Sequence, residues 1–168
     1  MSRAAFLQLP EEKPYLEYID GVVRQKPMTK ASHRRIVQKL DAMFDQHIDQ
    51  HGGDAGPEGT VDLPSSGNYL LPDTAYWAPD IPSGDNSIPT VVVEVRSPSQ
   101  TVPSLRRNCG VFLADGVLEC WLIDPEARTF EVITPAGSRA LGPSETFTSP
   151  AMPGFELDLA ALFSVLDR

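Results

Sequence analysis

The chain has 168 residues, of which 41% are hydrophobic, and a formal net charge of −9. This length fits a single domain, residues 1–168, with room for a substantial core. The negative charge argues against indiscriminate nucleic-acid binding, which favours basic proteins. No apolar run is long enough to span a bilayer, and the N-terminus has no secretory pattern. The sequence therefore predicts a cytoplasmic protein without membrane contact.

The two cysteines, Cys109 and Cys120, match no metal-binding spacing. Because cytosolic thiols stay reduced, neither a disulfide nor a catalytic thiol is expected. Both residues are predicted to be small, buried and apolar.

The chain opens with a segment that has no clear period, residues 1–13, predicted to be a loosely attached lead-in. Residues 15–25 are predicted to form a β-hairpin, because Asp20-Gly21 separates two β-rich runs.

A helix is predicted from His33 to about Gln50, with Ser32 as its cap and one apolar stripe. Its first half is basic and its second half is acidic. The basic half is a candidate surface for phosphate contacts, and a solvated face balanced by the acidic half is the alternative. The candidate residues are Lys30, His33, Arg34, Arg35 and Lys39.

The predicted strand over residues 68–77 contains Pro72, which places Asp73 at an irregular point rather than in mid-ladder. The other predicted elements are a short strand at 61–63, a turn-rich loop at 79–89, a helix at 103–114, paired strands at 118–123 and 130–133, loops over 135–150, and a strand and last helical turn within 155–163. This order predicts a mixed α/β sheet flanked by helices.

The run from Thr90 to Val95 has the β-branched composition of a buried central strand, yet it contains Glu94 and is followed by Arg96. Residues two apart in a strand share a face, so Glu94 and Arg96 are expected to emerge together. Burying charges is a weak way to gain stability, which favours a functional site over an ion pair at the strand end.

Several segments, in this order and spacing, resemble the Uma-two family, prokaryotic proteins described as restriction endonucleases within the PD-(D/E)XK nuclease-like superfamily. The resemblance covers residues 15–163. Its segments are Leu16–Gly21, Ser32-His33, Pro72-Asp73, Glu94–Ser99, Gly116–Pro125 and Pro153–Leu159.

The resemblance implies an α/β (α+β) fold with a restriction-endonuclease-like core, in which a mixed β-sheet is flanked by helices beside an N-terminal β-hairpin. It also implies an endonuclease that hydrolyses DNA with Mg²⁺ or Mn²⁺, often as a homodimer. Asp73 and Glu94 would be the metal ligands, Glu17 a further acidic residue of the site, and His33 a neighbour.

This chemistry suits the residue types, because Mg²⁺ prefers a few carboxylates plus water and helps to activate water against a phosphate. Asp80 also follows a proline, but it lies in a loop, so Asp73 is preferred. A turn carboxylate that bonds its own backbone is the alternative for Asp73. His47 and His51 share a helical face without an evident third ligand, so they are predicted to be solvated.

The sequence departs from the family at the expected lysine, because no lysine follows residue 39 and the family position falls on Asn108. Arg96 is predicted to stand in for it, and Arg106 and Arg107 are candidates to reach a nucleic acid. An arginine neutralises phosphate charge but cannot serve as a base. A member that binds nucleic acid or protein without cutting is therefore the alternative, and an oligomeric scaffold with Trp77 or Trp121 at an interface is a weaker one.

Overall fold

The computed structural model describes residues 1–57, 59, 61–82 and 87–168. The middle of the predicted 79–89 loop thus lies outside the described residues. The helices are α1 (Arg3–Phe6), α2 (Ala31–His51), α3 (Val102–Ala114) and α4 (Leu159–Ser164), and a 3₁₀ turn (Val165–Asp167) follows. The strands are β1 (Leu16–Ile19), β2 (Val22–Gln25), β3 (Asp54–Pro57), β4 (Val61–Leu63), β5 (Asn68–Leu70), β6 (Thr74–Trp77), β7 (Val91–Val95), β8 (Glu119–Asp124), β9 (Thr129–Thr134), β10 (Gly137–Leu141), β11 (Thr146–Thr148) and β12 (Glu156–Asp158).

A mixed six-stranded sheet forms the centre of the fold, in the order β10-β9-β8-β7-β6-β3. The β7–β8 pair is parallel, and the other neighbours are antiparallel. Val91, Val93 and Val95 pack in one core with α2, whereas Val92 packs in a second core with α3. The predicted mixed sheet with helices on its faces is therefore confirmed, and its valine strand is central and buried.

The N-terminal hairpin forms as predicted, with Asp20 and Gly21 both at positive φ in the turn. It belongs to a second sheet, in the order β2-β1-β5-β4. The predicted strand over 68–77 is split, because β5 lies in this second sheet and β6 lies in the central one. Pro72 has no N–H to give to a ladder, and it falls at the junction between the sheets. Asp73 directly follows Pro72 and precedes β6 of the central sheet.

Three predictions about the first fifty residues are wrong. His47, predicted to be solvated, is buried, and its ring lies 5.7 Å from the ring of Tyr76. Helix α2 begins at Ala31, and its N-cap Lys30 makes no side-chain capping bond, so Ser32 lies inside the helix. The lead-in is not loose, because the ring of buried Phe6 lies 5.2 Å from the rings of both Tyr18 and Tyr69. Aromatic burial thus attaches α1 to the second sheet.

Three further expectations are corrected downstream. Residues 135–150 contain strands β10 and β11, and β10 gives a weak sequence signal because only Leu141 of its residues is buried. Cys109 and Cys120 are buried as predicted, but they are joined by a disulfide between α3 and β8, with Cα atoms 5.6 Å apart. Trp121 is fully buried, which removes it as an interface residue. Within the described ranges, no helix combines the length and apolarity that a membrane crossing requires.

Candidate functional site

Asp73 and Glu94 lie opposite each other on neighbouring strands. The β6–β7 register pairs Thr74 with Val93, so its continuation by one residue pairs Asp73 with Glu94. The Asp73 N–H donates to Val93 O at 3.0 Å, and the Val95 N–H donates to Asp73 Oδ2 at 2.7 Å. Asp73 therefore bridges the backbone on both sides of Glu94, and directly opposed residues of an antiparallel pair are close neighbours.

Lys26 supplies a cation to this pair from the end of the hairpin. Its Nζ lies 3.0 Å from Asp73 Oδ1 and donates to Leu71 O at 2.5 Å. Burial alone would lower the pKa of Lys26, but the carboxyl groups of Asp73, Glu94 and Glu17 outweigh burial and raise it. The ammonium group therefore stays protonated at neutral pH.

Glu17 is the third acidic member, and it reaches the site from strand β1. Its Oε1 accepts the Leu71 N–H at 3.0 Å, and only 7% of the residue is exposed. Burial raises the pKa of Glu17, against an opposing effect from Lys26. The Leu71 backbone thus holds Glu17 through its N–H and Lys26 through its carbonyl.

His33 completes the cluster from the first turns of α2. Its Nε2 lies 3.1 Å from Asp73 Oδ2, and the residue is buried. Asp73 therefore has partners at both oxygens: Lys26 at Oδ1, and Val95 and His33 at Oδ2. These contacts fix the orientation of the Asp73 carboxylate.

The two opposed carboxyl groups differ in protonation. Burial alone would raise the pKa of Asp73, but Lys26, His33 and the Val95 N–H together lower it to about 2. Burial and the neighbouring Asp73 raise the pKa of Glu94 well above its usual value. Asp73 is therefore ionised, whereas the Glu94 carboxyl favours its protonated form more than an ordinary glutamate does, since one ammonium group does not balance two buried anions.

The carboxyl oxygens of the cluster are the type of ligand that a hard divalent cation prefers. Glu94 Oε1 is buried and finds no hydrogen-bond partner among the described residues, so one acceptor beside Asp73 is unsatisfied. No group of three or more His, Cys, Asp or Glu residues in the described ranges is arranged to hold a metal. That observation is compatible with Mg²⁺, which takes one or two carboxylates and keeps several waters. The pair Asp73 and Glu94 fits such an ion.

A cleft of about 240 Å³ adjoins the cluster. Glu17, Arg24 and Lys26 line it from the hairpin, and Ser104 and Asn108 line it from α3. Glu17 and Lys26 belong to both the cleft wall and the charged cluster, so a ligand in the cleft lies next to the carboxyl pair. The sequence position of the expected lysine, Asn108, faces this cleft.

The structure does not bring Arg96 to the other candidates. Strand β7 ends at Val95, and the guanidinium of Arg96 lies 3.4 Å from Asp124 and 3.3 Å from Glu126. Arg96 Nε also donates to the carbonyl of Gln100 at 3.1 Å. Arg96 thus turns toward the nearest carboxylates beyond the strand end, whereas Lys26 contacts Asp73.

The predicted nucleic-acid residues are spread over the surface. Lys30, Arg34 and Arg107 are exposed, and exposed Arg106 pairs with Glu131 at 2.9 Å. Arg35 donates to the carbonyl of Arg168 at 3.5 Å. His33 differs from these residues, because it is buried and contacts Asp73. The rival aspartate, Asp80, is exposed in its loop.

Sequence reasoning missed Lys26. The family pattern places its lysine downstream of Glu94, whereas Lys26 precedes the central strand by about seventy residues of sequence. One signal was available, because Lys26 ends the Asp-Gly hairpin that also carries Glu17. Glu17 pairs with Arg24, and Lys26 lies two residues beyond Arg24, where strand alternation predicts the same side of the hairpin. Lys26 was therefore a candidate for the same site as Glu17.

Comparisons with known proteins agree on a nuclease relationship. A family model, Uma2, described as "Putative restriction endonuclease", matches residues 3–160. A crystal structure titled as a putative nuclease belonging to DUF820, from Anabaena variabilis, is similar with a TM-score of 0.89 and 26% sequence identity. The similarity covers 99% of each chain. A search of curated proteins finds no match.

We expect Lys26→Met to destabilise the protein by about 3–5 kcal/mol, because it leaves the buried Asp73 carboxylate without its cation. Urea unfolding monitored by tryptophan fluorescence measures this loss. Arg34→Met, which removes an exposed cation, is the matched control and should leave the unfolding midpoint unchanged. Equal midpoints for all three proteins would contradict the assignment of Lys26 as the counter-ion.

We expect Glu94→Gln to gain stability relative to the wild type as pH rises, in the absence of metal. The folded-state pKa of Glu94 is raised, so the native state binds more protons above the unfolded pKa, and wild-type stability falls as pH increases there. The amide variant lacks this loss. Urea unfolding in chelator at about pH 5 and about pH 8 measures the difference. Exposed Glu12→Gln is the control, and a Glu94→Gln difference that is the same at both pH values would refute the raised pKa.

Proposed function

Because the chain belongs to the Uma2 family, we propose that it is a divalent-metal-dependent hydrolase that cleaves phosphodiester bonds in DNA at the Asp73–Glu94 pair. The family match and the nuclease title of the similar crystal structure support a nuclease. Mg²⁺ is the proposed ion and Mn²⁺ the substitute.

The observation that carries the proposal is the unsatisfied oxygen of Glu94 opposite the ionised Asp73. A buried carboxyl group with a free acceptor is costly to fold unless it has a ligand to bind. Asp73 and Glu94 would hold the ion, which when bound activates water and offsets charge on the phosphate. A carboxyl ligand must be deprotonated, so the raised pKa of Glu94 would make binding of the ion weaker as pH falls.

Lys26 is the proposed phosphate-binding cation. Its ammonium has three donors, and its raised pKa keeps it charged, so it can donate to a non-bridging phosphate oxygen. It cannot accept a proton from water for the same reason. Lys26 therefore takes over the charge-neutralising role expected of Arg96, which pairs with Asp124 and Glu126 instead.

Glu17 is the proposed proton acceptor. Burial raises its pKa, and a carboxylate with a pKa nearer neutrality is a better general base than an ordinary one. In the hydrolysis a water oxygen forms a bond to phosphorus and gives its proton to Glu17, while the bond from phosphorus to the leaving sugar oxygen breaks and that oxygen takes a proton from a second water. His33 acts as a positioning residue, because it contacts Asp73 rather than the cleft.

We expect plasmid or single-stranded DNA to be cut in the presence of Mg²⁺ or Mn²⁺, and Asp73→Asn, Glu94→Gln and Lys26→Met each to slow cleavage by about 10²-fold or more. Asp80→Asn provides the matched control, because Asp80 also follows a proline but is exposed in a loop. Arg96→Ala should retain most activity if Lys26 is the cation. Activity that survives in Asp73→Asn and Glu94→Gln would remove the assigned site.

The alternative function is binding of nucleic acid or protein without cleavage, and Asn108 at the expected lysine position favours it. The Asn108→Lys variant separates the two proposals, because Asn108 lines the cleft beside Glu17 and Lys26. If Lys26 already serves as the cation, Asn108→Lys should change the cleavage rate by less than about tenfold. Cleavage by Asn108→Lys together with an inert wild type would establish the natural chain as a non-cutting member.

A further inference from the structure

We infer that the site acts on an unpaired strand rather than on the interior of a duplex. This inference rests on the proposed nuclease function and specifies its substrate class. It follows from the depth of the carboxyl pair, the size of the adjacent cleft, and the character of the cleft wall.

The reacting groups are deep. Glu94 is 2% exposed, Asp73 is 6% exposed, and the side chain of Lys26 is 12% exposed. The carboxyl pair does not itself line the cleft, and it adjoins the cleft through Glu17 and Lys26. A scissile phosphate must therefore leave the molecular surface and enter the cleft to reach Asp73 and Glu94.

The cleft is small. Its volume of about 240 Å³ has room for a short stretch of one backbone and not for two paired strands. The β1–β2 hairpin forms one wall, and the segment from Ser99 to Asn108 contributes the other. Both walls consist of regular structure or its immediate flank.

A duplex cannot deliver its phosphate to such a place at low cost. Double-stranded DNA is stiff over about 150 base pairs, and sharp local deformation costs up to about 10 kcal/mol. An unpaired strand bends freely and can lower one phosphate between the walls. The depth of the site thus favours a flexible single strand over a stiff duplex, independently of any base contact.

The side chains that line the cleft also favour an unpaired strand as the substrate. Beside the cations Arg24 and Lys26, the acidic Glu17 and the apolar Ile19 and Pro27, the cleft offers five neutral hydrogen-bonding side chains, which are Gln25, Ser99, Gln100, Ser104 and Asn108. Amide and hydroxyl groups can bond sugars and base edges, and pairing hides the Watson–Crick edges in a duplex. The exposed cations Lys30, Arg34 and Arg107 do not line the cleft, so the lining offers no extended phosphate track of the kind that duplex binding uses.

The test compares three labelled DNA substrates of identical sequence with Mn²⁺ or Mg²⁺: a single strand, a duplex whose ends are closed by hairpin caps, and a capped duplex with a short unpaired bubble. We expect cuts in the single strand and within the bubble, and closed-duplex cleavage slower by about tenfold or more. Equal rates on closed duplex and single strand would overturn the inference and leave the nuclease proposal intact. No cleavage of any substrate would overturn both, and Asp73→Asn controls for contaminating nucleases.

A second arm tests the wall directly. Asn108→Ala widens the cleft, so it should lower the ratio of single-strand to closed-duplex rates by about threefold or more, even if both rates fall. Gly110→Ala on the same helix is the matched control, because a Cβ there meets no atom within 4 Å. A ratio that stays the same in Asn108→Ala as in Gly110→Ala would show that the cleft wall does not set the preference.

Discussion

The structure depends on the balance of charge around Asp73. Two carboxyl groups, those of Asp73 and Glu94, meet in the interior of the sheet, and a single ammonium group, that of Lys26, neutralises one of them. Burying unpaired charge is among the most costly features a fold can contain. Burial and the neighbouring Asp73 raise the pKa of Glu94, so the interior of the central strand favours the neutral form of this carboxyl group.

Much of the architecture could be predicted from the sequence. The Asp-Gly turn identified the hairpin, helical spacing identified α2, and the β-branched run identified the central strand, because in each case local propensity agrees with the packing that follows. Strand β10 and the attachment of α1 were missed. Their sequences give little periodic signal, and their structure depends on contacts with distant residues.

The site was only partly predictable, for a related reason. Glu17, Asp73 and Glu94 were proposed from a family pattern, and the structure places them in one charged cluster. Arg96 was proposed from strand alternation, which holds only within a strand, and β7 ends one residue before it. Lys26 was missed because tertiary contact between the hairpin and the central sheet brings it to Asp73. The disulfide was not predicted, because the sequence was expected to be cytosolic, where thiols stay reduced. Spacing alone gives no information on the pairing of Cys109 with Cys120.

The backbone of Leu71 connects the hairpin to the charged cluster. Leu71 is the last residue before Pro72, where the chain passes from one sheet to the other, and its N–H and carbonyl bond Glu17 and Lys26 of the hairpin. The opening segment of the polypeptide therefore supplies two of the residues that surround Asp73 and Glu94, and the charged cluster is incomplete without it. Any relative of this chain that lost its first thirty residues would retain Asp73 and Glu94 but would be left with a bare acidic pair, lacking both the base and the cation proposed to make that pair reactive.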